Sequence, residues 1–283
     1  MNLKDILNKY QSVLADIYDD QESLATFYIV AHYVSGLTKS QVAYRLQDSI
    51  SIEEVEQYSL ILERLLKAEP LQYVLSEAYF YGLKFKVNSA VLIPRPETEE
   101  LVELALNTLK NTPSKLNILD IGTGSGCIAI TLKHSLSNAD VYAMDISPEA
   151  LDIANQNAIN NNTKVNFLEA DIRAYKSNEK FDLIISNPPY VTNREGVHMD
   201  KNVMNYEPHL ALFVADDSPL EFYIAITAFA SQNLNKNGFL FFEINANFGK
   251  ETANLLIDKS FTDIQILKDM QGKDRFISAR KGN

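Results

Sequence analysis

The chain has 283 residues, 46% of them hydrophobic, and carries 26 Lys and Arg against 37 Asp and Glu, giving a net charge of −11 and a pI near 4.9. That is enough apolar material for one large core or two smaller ones, while the acidic average surface repels a phosphate backbone, and no long Lys/Arg run offsets it. The single Cys127 excludes an intramolecular disulfide, and His32, His134, His198 and His209 lack metal-ligand spacing. No signal-like start or bilayer-length apolar run is present, so a cytoplasmic protein without a structural metal is expected.

Residues 1–69 read as a small helical unit. Leu60, Ile61, Leu65 and Leu66 recur at helix spacing, and SIEEVEQYSLILERLLKAEP opens on a Ser/Glu start and stops at Pro70. The next stretch, LQYVLSEAYFYGLKFKVNSAVLI, is rich in aromatic and β-branched residues with Gly82 near its middle. It reads as a hairpin over residues 70–93 that links two domains. In RPETEEL, Pro96 stands at a first helical position with Glu97, Glu99 and Glu100 in the first turn, a good helix start on dipole grounds; a role at the edge of an active site stays open beside it.

From residue 94 to 283 strands and helices alternate. LNILDI precedes a helix from about Ser125 to His134; VYAMDI precedes the helix SPEALDIANQNAI; VNFLEAD and FDLIIS follow, then the helix SPLEFYIAITAFASQNL and the strand GFLFFEI. This order predicts an α/β domain, a mostly parallel Rossmann-like sheet with helices on both faces. Such sheets bind ligands at the C-terminal ends of their strands, where Asp120, Asp145, Asp171 and Asn187 stand. The polar connection from residue 191 to about 217 is long enough to predict a substrate-covering loop.

In LNILDIGTGSGCIAI, Gly122, Thr123, Gly124, Ser125 and Gly126 join a strand to a helix. Glycines there let the backbone turn tightly and a nucleotide-like ligand approach, and the helix start offers free NH groups. The dinucleotide fingerprint wants glycine where this chain has Cys127, and an acid at Asp120 disfavours a pyrophosphate. A ligand with positive charge, such as the ammonium and sulfonium of S-adenosylmethionine, suits it better. Asp145 is placed to accept ribose hydroxyls, since Ser147, Pro148 and Glu149 already make the following helix start. Asp171 is either an ordinary loop acid or a contact to the adenine amino group, with Ile172 against the ring.

Directly after FDLII come Ser186, Asn187, Pro188, Pro189 and Tyr190. The prolines forbid a helix start and stiffen the chain. A turn is one reading. The other is chemical: the side-chain oxygen of Asn187 and the carbonyl of Pro188 form a pair of acceptors that can grip both protons of a planar NH₂ group and aim its lone pair, with Tyr190 stacked over it.

DIGTGSG, the acid at Asp145 and NPPY together resemble class I methyltransferases that act on planar nitrogens, among them adenine N6 and protein glutamine enzymes. The stretches PLQYVLSEAYFYG, LIPRPETEELVE, NYEPHLALF and DMQGKDRFISARK extend the likeness over nearly the whole chain, to the peptide chain release factor N5-glutamine methyltransferases known as HemK or PrmC. The resemblance implies a substrate-recognition domain over 1–69, a linking hairpin over 70–93 and an S-adenosylmethionine-dependent methyltransferase domain over 94–283. It also implies that class I release factors are the partner and the glutamine of their Gly-Gly-Gln loop the acceptor. Carried onto this sequence, it puts the cofactor on Gly122, Thr123, Gly124, Ser125, Gly126, Asp145, Asp171, Ile172 and Asn187, and the substrate amide on Asn187, Pro188, Pro189 and Tyr190. Ser76, Asn245 and Phe248 depart from the family's pattern, which bears on turn shape and partner contacts. A ribosomal-protein glutamine methyltransferase and a nucleic-acid adenine methyltransferase would share the NPPY chemistry; the acidic charge disfavours direct nucleic-acid binding. A nicotinamide oxidoreductase is disfavoured by Cys127 and Asp120, and a monomer is the expectation.

Overall fold

The computed structural model describes residues 1–110, 115–197 and 199–282. His198, one of the four histidines weighed as metal ligands, lies outside them. The chain divides into two compact units, Met1–Ser76 with Asp200–Tyr206, and Glu77–Met199 with Glu207–Asn283.

The first unit is helical: α1 (Leu3–Leu14), α2 (Asp20–Ser35), α3 (Lys39–Tyr44), α4 (Ile52–Leu65) and α5 (Leu71–Leu75). Each of the first four starts on a side-chain cap, from Asn2, Asp19, Thr38 and Ser51, which satisfies an NH group that the first turn leaves unpaired. Tyr10, Phe27 and Tyr58 pack as the unit's aromatic centre, and the buried Tyr10 hydroxyl donates to the Tyr58 carbonyl at 2.7 Å. The strand reading of LQYVL fails here. After Pro70 the chain makes one short helical turn, with Tyr73, Val74 and Leu75 buried, and Ser76 closes it in the left-handed region with its NH donated to the Gln72 and Tyr73 carbonyls.

In the second unit, β1 (Glu77–Phe80) and β2 (Leu83–Lys86) form the hairpin. Tyr81 and Gly82 both have positive φ, 50° and 77°, as a two-residue turn matched to strand twist requires. Next come α6 (Pro96–Leu109), β3 (Asn117–Ile121), α7 (Cys127–Ser135), β4 (Asp140–Asp145), α8 (Pro148–Asn160), β5 (Asn166–Glu169) and β6 (Phe181–Ser186). Among the described residues the main sheet has seven strands in the order β10-β11-β9-β6-β3-β4-β5. Its remaining members are β9 (Leu234–Glu243), β10 (Phe261–Lys268) and β11 (Asp274–Lys281). β11 runs antiparallel between β9 and β10, and the other pairings are parallel. The apolar faces of α6, α7 and α8 cover one side of the sheet; α12 (Glu221–Asn233) and α13 (Gly249–Asp258) cover the other. Chain order runs outward from β3 through β4 to β5, then returns to β6 on β3's other flank. This opens a switch-point crevice at the strands' C-terminal ends.

The connection after β6 is more structured than a covering loop. It holds β7 (Val191–Thr192), α9 (Asn193–Gly196), α10 (Lys201–Tyr206), α11 (His209–Leu212) and β8 (Phe213–Val214), with β7 paired to β8. A reciprocal cap between Thr192 and Glu195 fixes its start, local chemistry that polarity alone did not reveal.

Candidate active site

The crevice holds a cavity of about 410 Å³. Gly122, Thr123, Gly124 and Ser125 form its floor at the end of β3, Asp145 and Ile146 stand at the end of β4, Asp171 and Ile172 follow β5, and Asn187, Pro188 and Pro189 follow β6. Four separate stretches of sequence thus meet at one place, as the strand-end reading expects.

The glycine loop divides its labour. Gly122 has φ +74°, and a Cβ there would stand 3.9 Å from the Asn187 carbonyl oxygen, so this glycine permits the turn that brings the two strand ends together. Gly126 is different: it does not line the cavity. A Cβ on it would meet Ile130 at 2.8 Å and Ala154 at 3.1 Å, so its lack of a side chain lets α7 seat against α8.

Asp120 also falls outside the cavity wall. It is fully buried, with Oδ2 accepting from the Thr123 hydroxyl at 2.6 Å and the Ala129 NH at 3.2 Å, while Oδ1 has no partner. Burial, with the nearby charge of Asp145, drives its carboxyl up to about 7. The expectation that Asp120 faces a positive ligand is therefore replaced by a structural role: it ties the loop to the start of α7.

Asp145 lines the cavity as expected. Its Oδ2 accepts from Gly124 NH at 2.8 Å and its Oδ1 from Ser147 NH at 3.0 Å, while the Ser147 hydroxyl caps α8. These two bonds aim the carboxylate, and an ionised carboxylate has about four acceptor positions, which leaves room for a diol. Burial raises its pKa. Asp171 is held by Arg173, whose Nη2 lies 2.8 Å from Oδ2, and this pairing lowers the Asp171 pKa. Arg173 in turn sits over the Phe222 ring, 5.5 Å from its centroid, and both residues line the cavity.

At the NPPY segment, Asn187 Nδ2 donates to Thr98 Oγ1 at 3.0 Å, and Thr98 Oγ1 donates to Glu243 Oε2 at 2.7 Å. Tyr190 is not on the cavity wall. Its ring packs on the core beneath the sheet, and its hydroxyl donates to Glu243 Oε1 at 3.0 Å. Glu243 is 2% exposed, and burial raises its pKa. The RPETEEL stretch serves both readings left open for it: Pro96 begins α6, and Thr98 touches the site. A second anchor joins two stretches far apart in sequence. Buried Glu207 accepts from the Ile93 NH at 3.1 Å and from Arg95 Nη2 at 2.6 Å, fixing the wall made by Ile93, Arg95 and Pro208.

Thr98, Arg173, Glu207, Phe222 and Glu243 were not singled out from the sequence. Glu243 could have been, since it is an acid at the C-terminal end of an apolar strand, the signal that marked Asp145. The departure at Asn245 also has a place: its Nδ2 donates to the Tyr190 carbonyl at 3.1 Å and to Glu195 at 2.8 Å, so it holds the chain just past NPPY.

The donor set fits S-adenosylmethionine. Asp145 offers spare acceptor positions for a ribose, Ile146 and Ile172 offer apolar walls for a flat ring, and the glycine loop leaves its backbone approachable. Fold and site together define a class I, S-adenosylmethionine-dependent methyltransferase. Residues 98–206 match the methyltransferase small domain, and residues 5–75 match the PrmC N-terminal domain. The chain is 44% identical over 286 residues to the release factor glutamine methyltransferase of Flavobacterium psychrophilum, covering 98% of each. It is 39% identical over 270 residues to that of Bacteroides thetaiotaomicron, covering 95% of this chain and 96% of the other. A methyltransferase structure from Pyrococcus furiosus, 20% identical, shares the fold with a TM-score of 0.54 over 72% of this chain and 91% of that one. The chain belongs to the release factor glutamine methyltransferase family.

Proposed function

We propose that the chain methylates the side-chain amide nitrogen of the glutamine in the Gly-Gly-Gln motif of class I peptide chain release factors. One observation carries the reading: Asn187 and Pro188, a side-chain and a main-chain acceptor, line the same cavity as Gly122 to Ser125 and Asp145. S-adenosylmethionine, held by the glycine loop, Asp145, Asp171 and Ile172, supplies a methyl group on a positively charged sulfur. Asn187 Oδ1 and the Pro188 carbonyl accept hydrogen bonds from the two amide N–H groups and turn the nitrogen's lone pair, which resonance would otherwise spread into the carbonyl, toward that methyl carbon. A nitrogen–carbon bond forms as the sulfur–carbon bond breaks, and the nitrogen, made acidic by its new bond, releases one proton to water. Positioning supplies most of the rate, so no strong base is needed before transfer.

A protein substrate accords with the net charge of −11 better than a nucleic acid does. The helical unit Met1–Ser76 is the candidate for recognising the body of the release factor, and the protein acts as a monomer in the cytoplasm.

The test is mass spectrometry of a purified release factor, with duplex DNA in parallel, after incubation with the chain and S-adenosylmethionine. One added methyl on the Gly-Gly-Gln glutamine, lost with Asn187→Ala while S-adenosylhomocysteine still binds, is the expected result. A methyl on adenine, or none on the glutamine, would overturn the substrate assignment.

A further inference from the structure

We infer that Thr98 and Glu243 are positioning residues that decide which way the Asn187 amide faces. The inference rests on the glutamine-amide reading above and concerns how the acceptor is set.

Three atoms form a relay whose donors and acceptors run one way. Glu243 takes a donor on each oxygen, the Tyr190 hydroxyl on Oε1 at 3.0 Å and the Thr98 hydroxyl on Oε2 at 2.7 Å. A threonine hydroxyl has one hydrogen. Once it is committed to Glu243, Thr98 Oγ1 can only accept, and the atom 3.0 Å from it on Asn187 must be the NH₂ nitrogen. The opposite face of the same amide, Oδ1, is thereby left for the cavity that Asn187 lines. Were the amide flipped, two sets of lone pairs would meet across 3.0 Å, and an NH₂ group would confront the substrate's own NH₂.

Glu243 has features that strand packing alone would not call for. It ends β9 at 2% exposure, in a position where its neighbours Phe241, Phe242 and Ile244 are apolar and equally buried. Burying a carboxylate is costly unless its hydrogen bonds are satisfied, and an apolar residue of similar volume would have avoided that cost. What the acid provides is an acceptor on both oxygens: Oε2 for Thr98, and Oε1 for the Tyr190 hydroxyl at 3.0 Å. One buried group thus fixes both ends of the Asn187 to Tyr190 segment. Thr98 is itself 3% exposed, on the first turn of α6, where Pro96 sets the backbone.

The experiment compares Thr98→Val, Thr98→Ser and Thr98→Ala by steady-state methylation of a purified release factor, with S-adenosylhomocysteine affinity and melting temperature measured on each. Valine keeps the volume and loses the hydroxyl; serine keeps the hydroxyl and loses a methyl. Expected is a fall of about tenfold or more in kcat for Val and Ala, near-wild-type turnover for Ser, and cofactor affinity within about twofold throughout, the pattern of an interaction that matters at the transfer step. If Thr98 only fills space, the order reverses, with Val active and Ser impaired, and the inference is wrong. Should Val melt below the assay temperature, Ser decides against Ala: near-wild-type turnover in Ser beside the loss in Ala supports the inference, and a loss in Ser equal to that in Ala overturns it. A wild-type chain that leaves the glutamine unmethylated refutes the substrate reading instead, and this inference goes with it.

Discussion

The Tyr190 hydroxyl donates to Glu243 Oε1 at 3.0 Å, so the last residue of the NPPY segment is tied to the end of a strand 53 positions later. Burial, and then the negative charge of Glu243, raise the phenol's pKa well above its usual 10. Tyr190 therefore stays protonated and donates throughout the working range; it is no general base. Tyr190→Phe should leave the alkaline side of the pH–rate profile unchanged while costing about 1–3 kcal/mol of stability, because Glu243 loses a donor and stays buried. A pH–rate profile and a denaturation curve check both halves, and a variant profile that differs from wild type on its alkaline side would show that the phenol titrates within the working range.

Asp120 sets a pH dependence of stability with a definite sign. Burial lifts its carboxyl from 3.8 to about 7, so the folded chain holds this proton more tightly than the unfolded chain. Its contribution is full below 3.8 and is lost as the pH rises to about 7, above which a charge sits buried with one oxygen unpaired. Asp120→Asn keeps an oxygen for Thr123 and Ala129 and removes the titration. Between pH 5 and pH 7.5 the wild-type melting temperature should fall relative to that of the variant. Parallel curves would show that Asp120 is ionised at little cost. The comparison with Asn matters because carboxylates such as Asp171, with lowered pKa values, tilt the wild-type curve the other way.

The alternating strands and helices, the switch-point crevice and the meeting of Gly122, Asp145, Asp171 and Asn187 were legible because each depends on local pattern: an apolar run, a glycine turn, a polar residue at a strand end. Three features were not. LQYVL carries strand-like residues, yet it forms a helical turn that Ser76 closes in the left-handed region. β10, at the edge of the sheet, and β11 beside it alternate weakly, because half-exposed positions blur the period. The Thr98–Glu243 contact spans 145 residues, and no short motif encodes which threonine a distant glutamate will meet. Gly126 shows the reverse case, since its spacing in GTGSG suggested ligand contact while its Cβ position shows helix packing.

Ser76 offers a test of strain in the helical unit. It ends α5 in the left-handed region, φ 56° and ψ 27°, with its NH donated back to Gln72 and Tyr73 carbonyls and its side chain exposed. A side chain in that conformation costs roughly 1–2 kcal/mol, which glycine avoids. Glycine also frees the unfolded chain, which costs about 0.4–1 kcal/mol in return. The balance runs from about zero to about 1.6 kcal/mol in favour of Ser76→Gly on the two ranges just given. The urea midpoint followed by far-ultraviolet dichroism should rise slightly with an unchanged slope. Ser76→Ala keeps the Cβ and should show no gain, so a rise in both variants would mean that the serine hydroxyl, not the backbone angle, carries the cost.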